Sequence, residues 1–366
     1  MVDDIQFLNH AIRLGARGLG RTWPNPSVGC VIVKNNEILA TATTAESGRP
    51  HAEAIALEMA GAAARGATAY VSLEPCAHHG HTPPCAQGLI DAGIARVVYA
   101  CDDPDARVNG KGAAMLEKAG IATEKKLTVD AALSHRGFIR RVQQGLPYVA
   151  AKLATSLDGH MADRNGKSQW ITGEKARQHG HGLRNQFDAI ITGIGTVLAD
   201  DPQLTVRAPL PSHERLVRVV CDRALRLPLH SQLVQTAERQ ATWVVTTPEG
   251  VEGAASHATD LREAGVKFLV IENDALSPIA ILKALAAEGI TRALLEAGPG
   301  LTTTFLAAKA IETLYWYRAP MLLGNTGAAA ITALDTSLET AARATPTHTV
   351  LLGDDVCSIY KLGSEA

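Results

Sequence analysis

The chain has 366 residues, with 35 Lys plus Arg against 37 Asp plus Glu and a formal charge of −2. This balance, with only 4% aromatic residues, lacks the basic footprint of a nucleic-acid binder, while 46% hydrophobic residues supply enough core for two domains. The acidic start Met1-Val2-Asp3-Asp4-Ile5 is no signal peptide, no uncharged apolar run nears the ~18 residues of a membrane span, and the six scattered cysteines do not read as a disulfide framework, so a cytoplasmic protein is expected.

Apolar residues at Ile5, Leu8, Ala11, Ile12 and Gly15 predict a helix over 3–19, capped by Asp3 or Asp4. The breakers Pro24-Asn25-Pro26 follow, then an apolar strand from Val28 to Val33. Residues 51–64 read as a helix, Ala67–Leu73 as a strand, 84–93 as a helix and Ala95–Cys101 as a strand. A helix over Lys111–Ala119 and a short strand from Ile121 complete an alternating α/β pattern. Residues 128–144 form a linking helix that stops near Gly145, with Pro147 just beyond. The domain boundary is therefore set between 1–145 and 146–366.

A second alternation then begins. Tyr148–Ala154, Ala189–Thr192, Val217–Cys221, Ala241–Thr246, Phe268–Ile271, Ala293–Leu295 and Thr313–Tyr317 are strand candidates. Residues 173–185, 277–288 and 300–310 are helix candidates.

Three segments carry chemistry: Pro50-His51-Ala52-Glu53, Glu74-Pro75-Cys76 and Thr82-Pro83-Pro84-Cys85. Residues two apart do not share a helix face, so His51 and Glu53 serve one site only from a helix N-terminus. Pro50 supports that placement. Cys85 has the same setting, with Thr82 as a possible cap and Pro84 in the first turn. A helix N-terminus favours the thiolate that binds zinc. One imidazole and two thiolates leave the fourth tetrahedral position open, as catalytic zinc requires. There zinc lowers the pKa of water to about 7, and Glu53 can carry a proton from water to a departing amine. Zinc nucleobase deaminases use this His-x-Glu, Pro-Cys and second-Cys arrangement, but with two residues between the cysteines rather than eight. Two alternatives stand beside it. A closed structural site would take His78, His79 or His81 as fourth ligand, and a metal-free protein would bury Cys76 and Cys85 as ordinary thiols.

The run Pro75-Cys76-Ala77-His78-His79-Gly80-His81-Thr82-Pro83-Pro84-Cys85 resembles the signature of the bifunctional riboflavin biosynthesis deaminase/reductases. Pro24-Asn25-Pro26-Ser27-Val28-Gly29 and His51-Ala52-Glu53 stand where that family has them. In the second half Ser156-Leu157-Asp158-Gly159, Ser168-Gln169-Trp170-Ile171-Thr172, Gly195–Pro202, Leu204-Thr205-Val206-Arg207 and Glu296–Leu301 are similar too. The resemblance implies an N-terminal cytidine-deaminase-like three-layer α/β domain and a C-terminal dihydrofolate-reductase-like domain. It implies zinc-dependent loss of a ring amine from a diaminopyrimidinone bearing a ribosylamine 5′-phosphate. NADPH-dependent reduction of the ribosyl to the ribityl chain follows. A small phosphorylated pyrimidine is the implied partner, with no nucleic acid or membrane, and a homodimer is plausible. Three departures stand out. Ala40, Ala42 and Thr44 replace a Gly-x-Gly-x-His stretch, His81 replaces a basic residue, and His135 replaces an Asn of the linking helix. The lost histidine at Thr44 removes one expected substrate contact.

No Rossmann fingerprint is present, since Gly193-Ile194-Gly195-Thr196-Val197-Leu198 lacks the third glycine. Gly298-Pro299-Gly300-Leu301-Thr302, between a strand and a helix, is a better pyrophosphate cradle, although an ordinary turn would read the same way. By the resemblance, Ala154, Trp170, Thr196, Asp200 and the turn Gly298, Pro299, Gly300, Leu301, Thr302, Thr303 and Thr304 line the NADPH site. By the same resemblance Asn25, Ser168, Arg184, Leu204, Arg207 and Glu296 contact substrate. Arg184 or Arg207 would clamp its phosphate bidentately. The competing readings are a nucleic-acid deaminase, which the charge balance opposes, and a zinc-stabilised binding module without activity.

Overall fold

The computed structural model describes residues 4–77, 83–106, 109–207, 214–272, 276–334 and 336–363. The chain divides into two compact units, Met1–Leu146 and Pro147–Ala366. Among the described residues, no helix is long and apolar enough to cross a membrane.

The first unit runs α1 (Asp4–Arg17), β1 (Gly29–Lys34), β2 (Glu37–Thr43), α2 (Ala52–Ala60), β3 (Thr68–Val71), α3 (Cys85–Asp91), β4 (Arg96–Tyr99), α4 (Lys111–Lys118), β5 (Ala122–Lys125) and α5 (Val129–Gln144). The sheet order is β2-β1-β3-β4-β5, with β1 antiparallel to both neighbours and β3, β4 and β5 parallel. Helix α1 buries Leu8, Ala11, Ile12 and Gly15, a helical stripe that docks on the sheet. The approach is so close that a Cβ on Gly29 would stand 1.9 Å from the carbonyl oxygen of Ala11. Helix α1 also meets α5, while α2 meets α3 and α3 meets α4. The product is a three-layer α/β unit. Strand β2 was not anticipated by periodicity. It pairs back on β1 through Asn35 and Asn36, both at positive φ, as a two-residue hairpin turn demands. Asp4 does not cap α1, since its carboxylate accepts from Arg96 at 2.8 Å and from Tyr70 at 2.7 Å; Asp3 lies outside the described residues.

The second unit continues with β6 (Tyr148–Thr155), β7 (His160–Ala162), α6 (Glu174–Arg184), β8 (Ala189–Gly193), α7 (Ile194–Asp200), β9 (Val217–Cys221), α8 (Gln232–Gln235), β10 (Thr242–Thr246), α9 (Pro248–Gly253), α10 (Ala255–Glu263) and β11 (Lys267–Val270). Then follow α11 (Pro278–Ala287), β12 (Arg292–Leu295), α12 (Pro299–Ala307), β13 (Thr313–Arg318), β14 (Ala328–Ala329), β15 (Thr345–Leu352) and β16 (Asp355–Lys361). Nine strands form one sheet in the order β11-β10-β9-β8-β12-β6-β13-β16-β15. It is parallel from β11 to β13, and β16 and β15 close it antiparallel. The parallel strands are continuous apolar runs because both faces are covered. Buried Asp188 ties β8 to β12 by accepting from the amides of Thr291 and Arg292 and the Thr291 hydroxyl. The carboxyl ends of β6, β8 and β12 therefore lie side by side, where parallel sheets bind ligands.

Candidate functional site

His51 is the N-cap of α2 and Glu53 lies in its first turn, while Cys85 opens α3 behind the N-cap Pro84. Pro84 is thus the cap rather than part of the first turn, and Thr82, the expected cap, lies outside the described residues. The cap position of His51 lets its ring lean over the helix end beside Glu53. Cys76 reaches the same point from the turn after β3. His51 Nδ1 is 3.2 Å from Cys85 Sγ and 3.7 Å from Cys76 Sγ, and the three ligand atoms lie within 4.8 Å of one another. A nitrogen and a sulfur on one tetrahedral zinc stand about 3.5–3.6 Å apart, a value the two observed distances bracket, so the donor set fits that ion. His78, His79 and His81, one of which a closed site would take as fourth ligand, lie outside the described residues.

The electrostatics suit a cation at this point. The Cys85 amide lies 3.3 Å from Cys76 Sγ, and Cys76 is held down at about 4 chiefly by its bond with the Cys85 thiol. Cys85 is pushed up by sharing that bond and by burial. The bond to Cys76 raises His51. Glu53 is 3% exposed, and burial raises its carboxyl above the usual range. A buried carboxyl beside a metal-binding cluster is suited to taking up and releasing a proton.

Glu74 is a further residue that the sequence reading quoted but gave no role. Its buried carboxylate accepts from the amides of Gly110 at 3.0 Å, Gly112 at 3.0 Å and Ala113 at 3.2 Å, at the start of α4. Asn25 donates to the carbonyl of Gly48 at 3.1 Å, three residues before His51. Thr44 turns inward, its hydroxyl accepting from the Val28 amide at 3.0 Å, so it offers no group in place of a histidine. His135 is buried in the first unit, with Nε2 3.1 Å from the Ser72 hydroxyl.

In the second unit, α7 and α12 begin next to each other. The Gly298 amide donates to the Thr196 hydroxyl at 3.2 Å, and a Cβ on Gly193 would touch Leu301. Intrahelical bonding in α12 starts with the Thr302 amide on the Gly298 carbonyl. The amides of Gly300 and Leu301 therefore point out of the helix end, and a Cβ on Gly195 or Gly300 would meet open space. Two helix N-termini with bare glycines beside them fit a pyrophosphate. The three threonines that follow also have partners close to the turn. Thr302 donates to the Ala297 carbonyl, Thr303 accepts from Thr332, and Thr304 donates to the Gly300 carbonyl, so their hydroxyls hold the turn itself. Pro299 supplies no amide but starts the helix. Ala154 is half-buried on β6, and the exposed Trp170 ring lies under the Arg177 guanidinium, 4.6 Å from its centroid. Ser168 Oγ is 3.5 Å from Asp200.

Arg184 has protein partners as well. Its fork is engaged on Glu296, with Nε–Oε1 at 2.6 Å and a second bond of 3.0 Å, and it donates to the Thr205 carbonyl at 2.8 Å. This bidentate pair joins residues 112 apart in the chain, and Arg207 is exposed. Lys152 adds an ammonium 3.5 Å from Glu296. Burial opposes the Glu296 charge, and Arg184 and Lys152 overcome it, holding the carboxyl down at about 2. Burial, with Arg184 and Arg207 nearby, depresses His181 to about 4. Sequence reasoning missed Lys152 and His181 because nothing local separates a lysine in an apolar strand from a surface lysine. Leu204 is 5% exposed with φ of +51°, so only its backbone can meet a ligand.

The comparisons agree with both halves. Residues 1–101 match the cytidine and deoxycytidylate deaminase zinc-binding region, and residues 147–358 match the RibD C-terminal domain. The riboflavin biosynthesis protein RibD of Escherichia coli is 40% identical over 338 residues, which cover 88% of this chain and 89% of that one. The solved structure of Acinetobacter baumannii RibD is similar with a TM-score of 0.88 and 38% identity, covering 99% of each chain. A diaminohydroxyphosphoribosylaminopyrimidine deaminase/5-amino-6-(5-phosphoribosylamino)uracil reductase from Thermotoga maritima gives 0.86 at 31% identity, covering 98% of this chain and 99% of that one. A three-donor metal cluster on one sheet and twin helix N-termini on another thus have a common explanation: the chain belongs to the RibD family of bifunctional riboflavin-biosynthesis enzymes, a zinc-binding deaminase joined to a reductase.

Proposed function

We propose that residues 1–145 remove the ring amine of 2,5-diamino-6-ribosylamino-4(3H)-pyrimidinone 5′-phosphate, and that residues 146–366 reduce the ribosyl chain of the product to ribityl with NADPH. The observation that carries the first step is the convergence of His51, Cys76 and Cys85 within 4.8 Å beside the buried Glu53. His51, Cys76 and Cys85 would hold zinc, which when bound supplies a Lewis acid and acidifies water. Glu53 accepts a proton from water at its carboxylate and delivers it to the ring amine, which leaves as ammonia. Asn25 locks the segment leading into His51 and faces the substrate side in this reading. Water supplies the new carbonyl oxygen and two protons, one carried off in ammonia and one left on the ring as the lactam N–H, so Glu53 ends each cycle as it began.

NADPH, when bound, supplies the hydride. The amides of Gly300 and Leu301, with α7 beside them, would hold its pyrophosphate, and Ala154, Trp170, Thr196, Asp200 and the turn from Gly298 to Thr304 would line its site. Ser168, Arg184, Leu204, Arg207 and Glu296 contact the substrate, with Arg184 or Arg207 on its phosphate. Arg184 keeps Glu296 ionised against the substrate, and the Lys152 ammonium is the proton donor for the nitrogen of an open-chain imine. Positioning does much of the remaining work. The reading extends to a cytoplasmic homodimer, supported by the family resemblance and tested by sedimentation.

The decisive variant is Glu53→Gln. It is expected to keep zinc and fold, stop ammonia release, and oxidise NADPH normally on deaminated substrate. Unchanged ammonia release would remove Glu53 from the mechanism.

A further inference from the structure

Cys76 sits on a short turn with no helix of its own, yet a metal ligand must be fixed to a few tenths of an ångström. Two helices grip this turn. Helix α3 takes its C-terminal side: the Ala86 amide donates to the Cys76 carbonyl at 3.1 Å, and the Cys85 amide lies 3.3 Å from its sulfur. Helix α4 takes the N-terminal side. The Glu74 carboxylate spans three amides at the start of α4, with Oε1 on Gly112 and Ala113 and Oε2 on Gly110. A fourth amide, from Asp103, is 3.5 Å from Oε2. This side chain is 3% exposed. The next residue is locked as well: a Cβ on Gly112 would stand 1.8 Å from the Pro75 carbonyl oxygen and 3.3 Å from Glu74 Oε1. Only glycine lets α4 reach the turn.

A glutamate at this place has two plain structural uses, capping α4 and neutralising its N-terminal dipole. A nearby aspartate or serine in the loop before α4 would serve either use. Here the cap is instead borrowed from a turn more than thirty residues earlier, two positions before a metal ligand. We propose that Glu74 and Gly112 form a positioning device for Cys76, in which the start of α4 fixes where the sulfur meets the metal. Glu74 touches neither metal nor substrate and acts through the Glu74-Pro75-Cys76 backbone. The inference rests on the zinc reading of the cluster.

Two full-length variants test it. In Glu74→Gln, one carboxylate oxygen becomes an NH₂ group facing an amide donor, so the bridge loses an acceptor while the side-chain size is kept. In Gly112→Ala, the added methyl forces α4 and Pro75 apart and leaves Glu74 chemically intact. Both variants should release zinc to a chromogenic chelator about 10–100-fold faster than the wild type, the range for groups that orient metal ligands. Both should shift the thiolate-to-metal charge-transfer band of the cobalt-substituted protein, which a mere loss of stability does not move. NADPH-dependent reduction of deaminated substrate should be unchanged in both, reporting that the second unit is intact. Zinc release within twofold of wild type and unshifted cobalt bands in both variants would overturn the proposal. So would faster release without any band shift, since Glu74 would then serve stability alone. Wild-type protein that bound no zinc would instead sink the metal reading itself.

Discussion

Replacing His135 by Asn tests a consequence of burial that can be worked out from the structure. The imidazole is 2% exposed, Nε2 is 3.1 Å from the Ser72 hydroxyl, and Nδ1 has no partner among the described residues. Ser72 Oγ in turn accepts from the Gly29 amide at 3.0 Å, so His135 supports the β1–β3 pairing. Burial depresses its pKa from 6.5 to about 4. A base whose folded pKa lies below its unfolded value stabilises the fold fully above the unfolded pKa. That contribution is lost as pH falls from 6.5 towards 4. A shift of this size is worth about 3 kcal/mol over the whole window, and about 2 kcal/mol of it is lost between pH 7.5 and pH 5. Asn does not titrate and still offers Ser72 a partner, and its smaller size adds only a pH-independent offset. The assay is urea unfolding of full-length protein at pH 7.5 and pH 5, followed by hydrogen exchange in peptides covering β1 and β3. Effects of acid on the metal ligands are common to both proteins and cancel in the difference. The wild type should lose about 2 kcal/mol more than His135→Asn on acidification. Parallel losses would refute the buried neutral imidazole.

Other outcomes follow from the second unit. Glu296→Gln removes one charge from a buried bidentate pair. It should destabilise that unit by about 3–5 kcal/mol and abolish reduction, while ammonia release persists, as parallel melting and coupled assays will register. Thr196→Val takes away the acceptor of the Gly298 amide and should weaken NADPH binding about 5–10-fold by fluorescence titration, matching the loss of one hydrogen bond of about 1 kcal/mol. Arg207→Ala should raise KM for the phosphorylated substrate far more than it lowers kcat, and a dephosphorylated substrate should not distinguish variant from wild type.

The metal cluster was legible because its parts are local. His51-Ala52-Glu53 and Pro83-Pro84-Cys85 each mark a helix start, and helix starts aim side chains at a point. Strands buried on both faces were legible as apolar runs. Strand β2 was not, because it is half exposed and begins with a charged residue, although Asn35-Asn36 was a usable hairpin signal. Strand β15 is exposed along most of its length at the edge of the sheet, so it carries no apolar signature. The Arg184–Glu296 pair and the support of Cys76 by α4 arise only when segments distant in sequence pack together. The sequence therefore offers Arg184 as a phosphate ligand without showing that its fork also closes on the Glu296 carboxylate. Thr302 and Thr303 were assigned to the cofactor site by the family resemblance, and the fold adds what no local pattern shows, that their hydroxyls also bond neighbours of α12.

The most direct measurement is zinc content set beside product on the pyrimidine substrate, for wild type, Cys76→Ala and Cys85→Ala. The wild type should carry one zinc per chain and release ammonia. Each cysteine variant should lose both while still oxidising NADPH on deaminated substrate. Ammonia release at the wild-type rate from a zinc-depleted variant would contradict the account.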